Sequence, residues 1–253
     1  MSYVVLSKMN SFKSHIVAEE FEQIYIRLRQ KEGRILSDDD VSKLPFIYTS
    51  HPHYKEWVIR KHACRALISY IKHNDSFLNI LEVGCGNGWL AAQIAKGVDA
   101  DVTGIDINTV ELEQAKRVFY RLPGLSFIKS SLESDALKDK KFDLIIFAAS
   151  IQYFSSLKQI INIAVEHLTL QGEVHIMDSP FYQQQELAAA RQRTREYYSA
   201  LGFAEMAEHY HHHTIAELET FQYKILHHPL AWKNKLSIKK NPFYWISIKN
   251  RYS

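Results

Sequence analysis

The stretch NILEVGCGNGWLAAQIA, residues 79–95, sets Gly84, Gly86 and Gly88 at alternate positions between an apolar run and an amphipathic one. The apolar run over 80–83 reads as a buried strand and the residues after Gly88 as a helix, so the glycines occupy a strand-to-helix turn. In a doubly wound sheet the turn after the first strand lies against the ligand, and glycine lets the backbone approach where a Cβ would collide. Dinucleotide sites place their third glycine three positions after the second, and here that position is Trp89. No Gly-Lys-Ser/Thr follows either, which excludes a phosphate loop.

Outward from this turn, short apolar strands are predicted at 102–105, 126–128, 144–147 and 174–177, alternating with helical stretches. The best marked is NTVELEQAKRVFYRLPG (108–124). Asn108 and Glu111 form a capping-box pattern, Leu112, Ala115, Phe119 and Leu122 make one face, and Pro123-Gly124 stop it. Strict alternation implies a mostly parallel sheet covered on both faces. The rhythm breaks after a helix through 183–202, where TFQYKILHH (220–228) and PFYWISIKN (242–250) read as an antiparallel hairpin at one sheet edge.

Toward the N-terminus, Val17, Phe21, Ile24, Tyr25 and Leu28 recur at helical spacing, as do Ile59, Ala63, Ala66, Leu67, Tyr70 and Ile71. An acidic-capped turn, SDDDVSKLP (37–45), separates the two runs. The expected fold is α/β: a doubly wound, mostly parallel seven-stranded sheet with a C-terminal antiparallel hairpin and an N-terminal helical extension over 1–75.

Composition narrows the function. The chain has 253 residues, 46% of them hydrophobic, enough for one sizeable core. Lys and Arg number 31 against 28 Asp and Glu, with no basic cluster, so neither DNA nor a membrane surface is an expected partner. Cys64 and Cys85, far apart, suit a reducing compartment. The opening MSYVVLSKMNSFKSH lacks the apolar core of a signal peptide and no run approaches a membrane span, so the expected location is cytoplasmic.

LEVGCGNG (81–88) resembles motif I of the class I S-adenosylmethionine-dependent methyltransferases, an acidic residue followed by x-Gly-x-Gly-x-Gly. The resemblance continues through VTGIDIN (102–108), KFDLIIFAASIQYF (141–154), LTLQGEVHIMDS (168–179, resembling the family's helix, turn and fifth strand) and the terminal hairpin. It implies a methyltransferase domain over 76–253, with residues 1–75 as a helical cap. It further implies that Gly84, Cys85, Gly86 and Gly88 form the loop under the methionine part of S-adenosylmethionine, with Glu82 at its amino end. Asp106 would accept hydrogen bonds from both ribose hydroxyls. Ile107 would lie against the adenine, and Leu132 and Ala148 would complete the site. Where the family often has an acid for the adenine amino group, this chain offers Ser130 and Ser131; Ser131 is the favoured position and Glu133 the alternative.

The acceptor would sit near Ser150, Gln152 and Tyr153, under TSHPHYKEWVIRKH (49–62), where Pro52 suits a helix start and Trp57 either covers the cleft or packs. The place of the Asn/Asp-Pro-Pro-Tyr/Phe motif of DNA amino-methyltransferases holds FAAS (147–150), and DSPF (178–181) and NPFY (241–244) fall elsewhere, which argues against a DNA acceptor. In EHYHHHT (208–214), His209, His211, His212 and His213 suit a metal, an acceptor-side base, or ordinary surface and capping roles; no metal site is expected. Tyr153 and His211 are the candidate catalytic residues. The expected activity is methyl transfer to a small-molecule acceptor, against the alternatives of a protein or RNA methyltransferase and a non-catalytic cofactor-binding module.

Overall fold

The computed structural model describes residues 21–74, 76–231, 234 and 240–250. Val17 and the N-terminal stretch read for a signal peptide lie outside them. Seven strands form the main sheet: β1 (Asn79–Val83), β2 (Asp101–Asp106), β3 (Leu125–Lys129), β4 (Phe142–Ala148), β5 (Leu168–Met177), β8 (Tyr223–His227) and β9 (Trp245–Lys249), in the order β3-β2-β1-β4-β5-β9-β8. β1 to β5 run parallel, while β9 is antiparallel to both β5 and β8. The chain winds outward from β1 to β3 and then crosses back to β4, so the order reverses between β1 and β4. Their carboxyl ends open the crevice in which doubly wound sheets hold ligands.

Neighbouring residues of a strand face opposite sides, which explains why the central strands are apolar throughout. On one side Ile80, Leu144 and Ile146 pack with Leu67 and Ile71 of α3 (Tyr54–Lys72) and Leu90 and Ile94 of α4 (Trp89–Gly97). On the other, Leu81, Ile145 and Phe147 pack with Ile160 and Ile161 of α6 (Leu157–Glu166). α5 (Thr109–Phe119) starts as expected, with Asn108 Oδ1 accepting from the Glu111 backbone N–H at 3.0 Å. The remaining helices are α1 (residues 21–31), α2 (Asp38–Lys43) and α7 (Leu187–Leu201). Leu28 of α1 packs with Tyr198 of α7 and Met206.

Three local readings change. Residues 37–45 are not a plain turn, because Ser37 Oγ accepts from the Asp40 backbone N–H at 3.1 Å and starts α2. Residues 168–173 are not the end of a helix and a turn: α6 ends at Glu166 and β5 begins at Leu168. An irregularity opposite Phe142 and Leu144 absorbs the extra residues, moving the register from Phe142↔Leu168 to Leu144↔Glu173. The histidine stretch is not a free surface segment either. β7 (His213–Thr214) pairs in parallel with β6 (Phe181–Tyr182), and His212 and His213 are buried with Thr194 Oγ1 and the Ile151 carbonyl as ring partners. Among the described residues no three His, Cys, Asp or Glu side chains are grouped to hold a metal, and no helix is long and apolar enough to cross a membrane.

Candidate active site

A cavity of about 650 Å³ lies over the carboxyl ends of β1, β2 and β4. Its floor begins at the glycine loop. The Gly84 and Cys85 amides both donate to the Ile105 carbonyl, at 2.8 and 3.0 Å, and the Gly86 amide donates to Asp106 Oδ2 at 2.7 Å. Asp106 Oδ1 accepts from the Asn108 amide at 2.8 Å. One carboxylate thus pins the loop to the end of β2, and since each oxygen accepts more than one bond it keeps acceptor capacity toward the cavity.

Gly84 adopts φ +75°, and a Cβ there would lie 2.6 Å from the Ser150 Cβ, so the β1 and β4 loops meet only because position 84 has no side chain. Gly88 adopts φ +73° at the N-cap of α4, where a Cβ would lie 2.5 Å from Phe127 Cζ and 2.8 Å from Ala115 Cβ. Gly88→Ala combines a left-handed conformation, about 1 kcal/mol, with overpacking of about 1–3 kcal/mol. Thermal unfolding should show a loss of at least about 2 kcal/mol. Gly202→Ala, with φ +84° and nothing within 4 Å, should lose only the backbone component.

Four carboxyl groups face the floor. Glu82 is 2% exposed, its Oε2 accepting from the Ala91 amide in the first turn of α4 at 2.8 Å, and burial pushes it up to about 8. Desolvation also raises Asp106, against the amides that hold it, and raises Glu111 to about 7 with Asp106 adding to it. Asp178 follows β5 in a left-handed conformation, φ 53°; it is buried, raised by burial to about 6, and its Oδ1 has no partner. Buried Asn108 Nδ2 is likewise unpaired.

The roof comes from the N-terminal helices. Phe21, Tyr25 and Arg29 of α1, His51 and His53, and Trp57 and Arg60 of α3 close over the floor. Glu22 ties α1 to the start of α5 by accepting from the Thr109 amide at 2.6 Å. At the opposite end of α1, Tyr197 Oη donates to Glu32 Oε1 at 2.5 Å.

Every cofactor-site residue nominated from the sequence borders this cavity except Gly88, which lies behind the loop against Phe127. Ser131 and Leu132 border it, whereas Glu133 does not. Of the acceptor-side residues, Ser150 and Tyr153 border it; Gln152 does not. His211 borders a separate groove with Arg191 and Arg195, on the far side of the chain from His209, which does reach the cavity. Sequence reasoning missed Arg29, Arg60, Glu111 and Asp178. Glu111 was read only as a helix cap, Arg60 lay unremarked in the stretch expected over the acceptor, and Asp178 in a motif look-alike.

Residues 74–242 match the family described as "Methyltransferase domain". The chain is similar to malonyl-[acyl-carrier protein] O-methyltransferase 1 of Ilyobacter polytropus, 29% identical over 117 residues, covering 46% of this chain and 43% of that protein. With the corresponding Bacillus cereus enzyme it shares 26% identity over 144 residues, 54% of this chain and 52% of the relative. The chain therefore spans about half the length of the curated relatives it matches. Among solved structures it shares its fold with the magnesium protoporphyrin IX methyltransferase of Synechocystis PCC 6803 with bound SAH, at TM-score 0.58 and 14% identity over 93% of this chain and 98% of that one. The plantazolicin methyltransferase BpumL, in complex with a monoazolic analog and SAH, matches at TM-score 0.54 and 17% identity over 94% and 99%. The strand order with its single antiparallel member, the glycine loop pinned by Asp106 and the family match over most of the chain agree: this chain belongs to the class I S-adenosylmethionine-dependent methyltransferases.

Proposed function

We propose that the chain transfers the methyl group of S-adenosylmethionine to a small-molecule acceptor inside the roofed cavity. The observation that carries this reading is the loop itself: two glycines whose Cβ atoms would collide with the β4 loop and Phe127, under a cavity floored by four carboxyl groups. The floor fits the cofactor's chemistry. Unpaired Asp178 Oδ1 and raised Glu82 are acceptors waiting for a positive charge, and Asp106 has lone pairs left for hydroxyl donors. In this reading Glu82 holds the amino end, Asp106 the ribose hydroxyls, and Ile107 and Leu132 flank the adenine. Ser131 takes the adenine amino group without charge assistance.

When bound, the cofactor supplies an electrophilic methyl group on a sulfonium. The protein's work is alignment and exclusion of water, and the roof over the floor suits that work. We assign residues 1–75 as the cap and 76–253 as the catalytic domain, with α1 and the start of α3 as the lid. The substrates in the relatives' names, a malonyl group on a carrier protein, plantazolicin and magnesium protoporphyrin IX, support an acceptor of small-molecule scale.

Isothermal titration with S-adenosylmethionine and its demethylated product tests the reading. Asp106→Ala should weaken binding by about 1.5–3 kcal/mol, the scale of a lost hydrogen bond to a charged group. A folded chain that binds neither ligand would end the proposal.

A further inference from the structure

The cavity carries only acids on its floor, and its arginines all lie in the roof. Glu82, Asp106, Glu111 and Asp178 face the floor, whereas Arg29, Arg34 and Arg60 line the roof together with Glu22 and Glu56. The three roof guanidiniums share two carboxylates. Arg29 Nη1 donates to Glu32 Oε2 at 2.9 Å, Arg34 grips Glu56 through both Nη atoms at 3.0 and 2.8 Å, and Arg60 Nε reaches the same Glu56 at 3.0 Å. Glu22 of α1 also lines the cavity, so three cations face three carboxylates, and Arg29 is the guanidinium with a donor group directed away from them.

Arg29 is the guanidinium that reaches the acceptor side. Its Nη2 donates to Tyr153 Oη at 3.0 Å, and its Cζ lies 4.7 Å over the Tyr25 ring. Phe21 and His209 complete the wall, with ring centroids 5.0 Å apart and Phe21 6.0 Å from Tyr153. An aromatic box of this kind takes an organic cation when it is empty. This one already holds a guanidinium, so it presents positive charge instead of receiving it. A guanidinium has no acceptor; Tyr153 Oη must therefore accept from Arg29, which leaves the phenolic hydrogen free to donate to a ligand.

We propose that this chamber binds the methyl acceptor through a carboxylate, held by Arg29 and the Tyr153 hydroxyl beside the Phe21 and Tyr25 rings, and that a carboxylate oxygen is the atom methylated. The proposal rests on the methyltransferase reading above. A carboxylate brings its own lone pair. The new C–O bond forms as the methyl–sulfur bond breaks, the electron pair stays on sulfur, and no proton has to leave. Such an acceptor needs donors and makes no call on His209 as a base, and a carboxylate held through one oxygen keeps the other free to attack.

The test titrates benzoate, benzamide and benzylammonium into the SAH-saturated full chain, followed by chemical-shift changes. Benzoate should bind about tenfold tighter than either analogue, as expected for a charge-assisted contact. Arg29→Gln should erase the preference, and Tyr153→Phe should weaken benzoate about threefold; calorimetry with SAH reports whether each variant is folded. Equal or tighter binding of benzamide or benzylammonium overturns the proposal, as does a preference that survives both substitutions. Failure of the unaltered chain to bind SAH would overturn the cofactor reading itself and this proposal with it. Loss of benzoate preference with SAH bound overturns the carboxylate alone.

Discussion

Glu173→Ala should cost on the order of 4 kcal/mol of stability, the upper range for breaking a buried, fully partnered charge. Glu173 pairs with Leu144 of β4 just past the irregularity in β5 and is only 6% exposed. Its Oε2 accepts from Tyr70 Oη at 2.7 Å, Ser247 Oγ at 2.7 Å and His175 Nε2 at 2.9 Å. Trp245 Nε1 donates to His175 Nδ1 at 3.1 Å, which places the imidazole proton on Nε2 and makes it a donor to Glu173. One carboxylate thereby joins α3, β5 and the antiparallel β9, and its removal leaves three donors buried without an acceptor. Burial alone would raise Glu173, but the bonds from His175, Tyr70 and Ser247 outweigh it and hold the group at about 2. Because its folded value lies below the ordinary one near 4.5, this contribution is complete above about pH 4.5 and is lost as pH falls toward 2. Burial lowers His175, with Glu173 opposing, so the unfolded imidazole takes a proton below about pH 6.5 that the folded one refuses. Both groups make the fold acid-labile. Urea unfolding of the unaltered chain and Glu173→Gln at pH 7, 4.5 and 3 decides the matter: the stability gap should narrow on acidification, and a constant gap would remove the network from the account.

That network was invisible in the sequence for a physical reason. Glu173 follows Gln171 and Gly172, a polar pair that reads as a turn, and its partners Tyr70 and Ser247 are distant in the chain. Burial of a polar residue depends on which strands flank it, and local pattern does not carry that information. The alternation of strands and helices was legible because each central strand is apolar on both faces, and the reversed final strand because the sequence between the last two strand-like runs has no obvious helical pattern. The glycine loop was legible because Gly84 and Gly88 hold conformations that side chains resist. Asp106 was singled out at the end of the second strand and borders the cavity, but its bond to the Gly86 amide was not foreseen. α1 could be read as a helix from Phe21, Ile24, Tyr25 and Leu28, yet the surface it covers is decided by packing on Tyr198 and Met206. Arg29 accordingly looked like any charge on a solvated helix face. His211 stood out among four histidines, whereas the chain path turns His209 to the cavity and His211 away.

Ligand binding is also expected to rise with pH, and Glu82 sets that dependence, while its own contribution to stability runs the opposite way. Burial raises Glu82 to about 8, with the Ala91 amide opposing and Asp106 reinforcing. Its folded value therefore lies above the ordinary one near 4.5, so the free chain keeps a proton that the unfolded chain has released, and stability is lost as pH rises from about 4.5 to about 8. A carboxylate placed to hold the amino end of the cofactor must be ionised to do so. SAH affinity should then climb close to tenfold per unit below about pH 8, on the order of 30–100-fold between pH 6 and 8. Glu111 and Asp178 titrate in the same direction at about 7 and about 6, so the assignment needs Glu82→Gln. That substitution should lower SAH affinity about 100-fold at pH 8 and flatten the profile, while Asp178→Asn should leave its upper limb in place. Because an amide carries no buried charge, the free Glu82→Gln chain should also be more stable at pH 8, by on the order of 2 kcal/mol. Calorimetry and thermal unfolding of the same sample read both quantities. A misfolded variant loses binding and stability together; only a buried acid kept for a ligand loses the first and gains the second, and an affinity flat from pH 6 to 8 would show that Glu82 is not that acid.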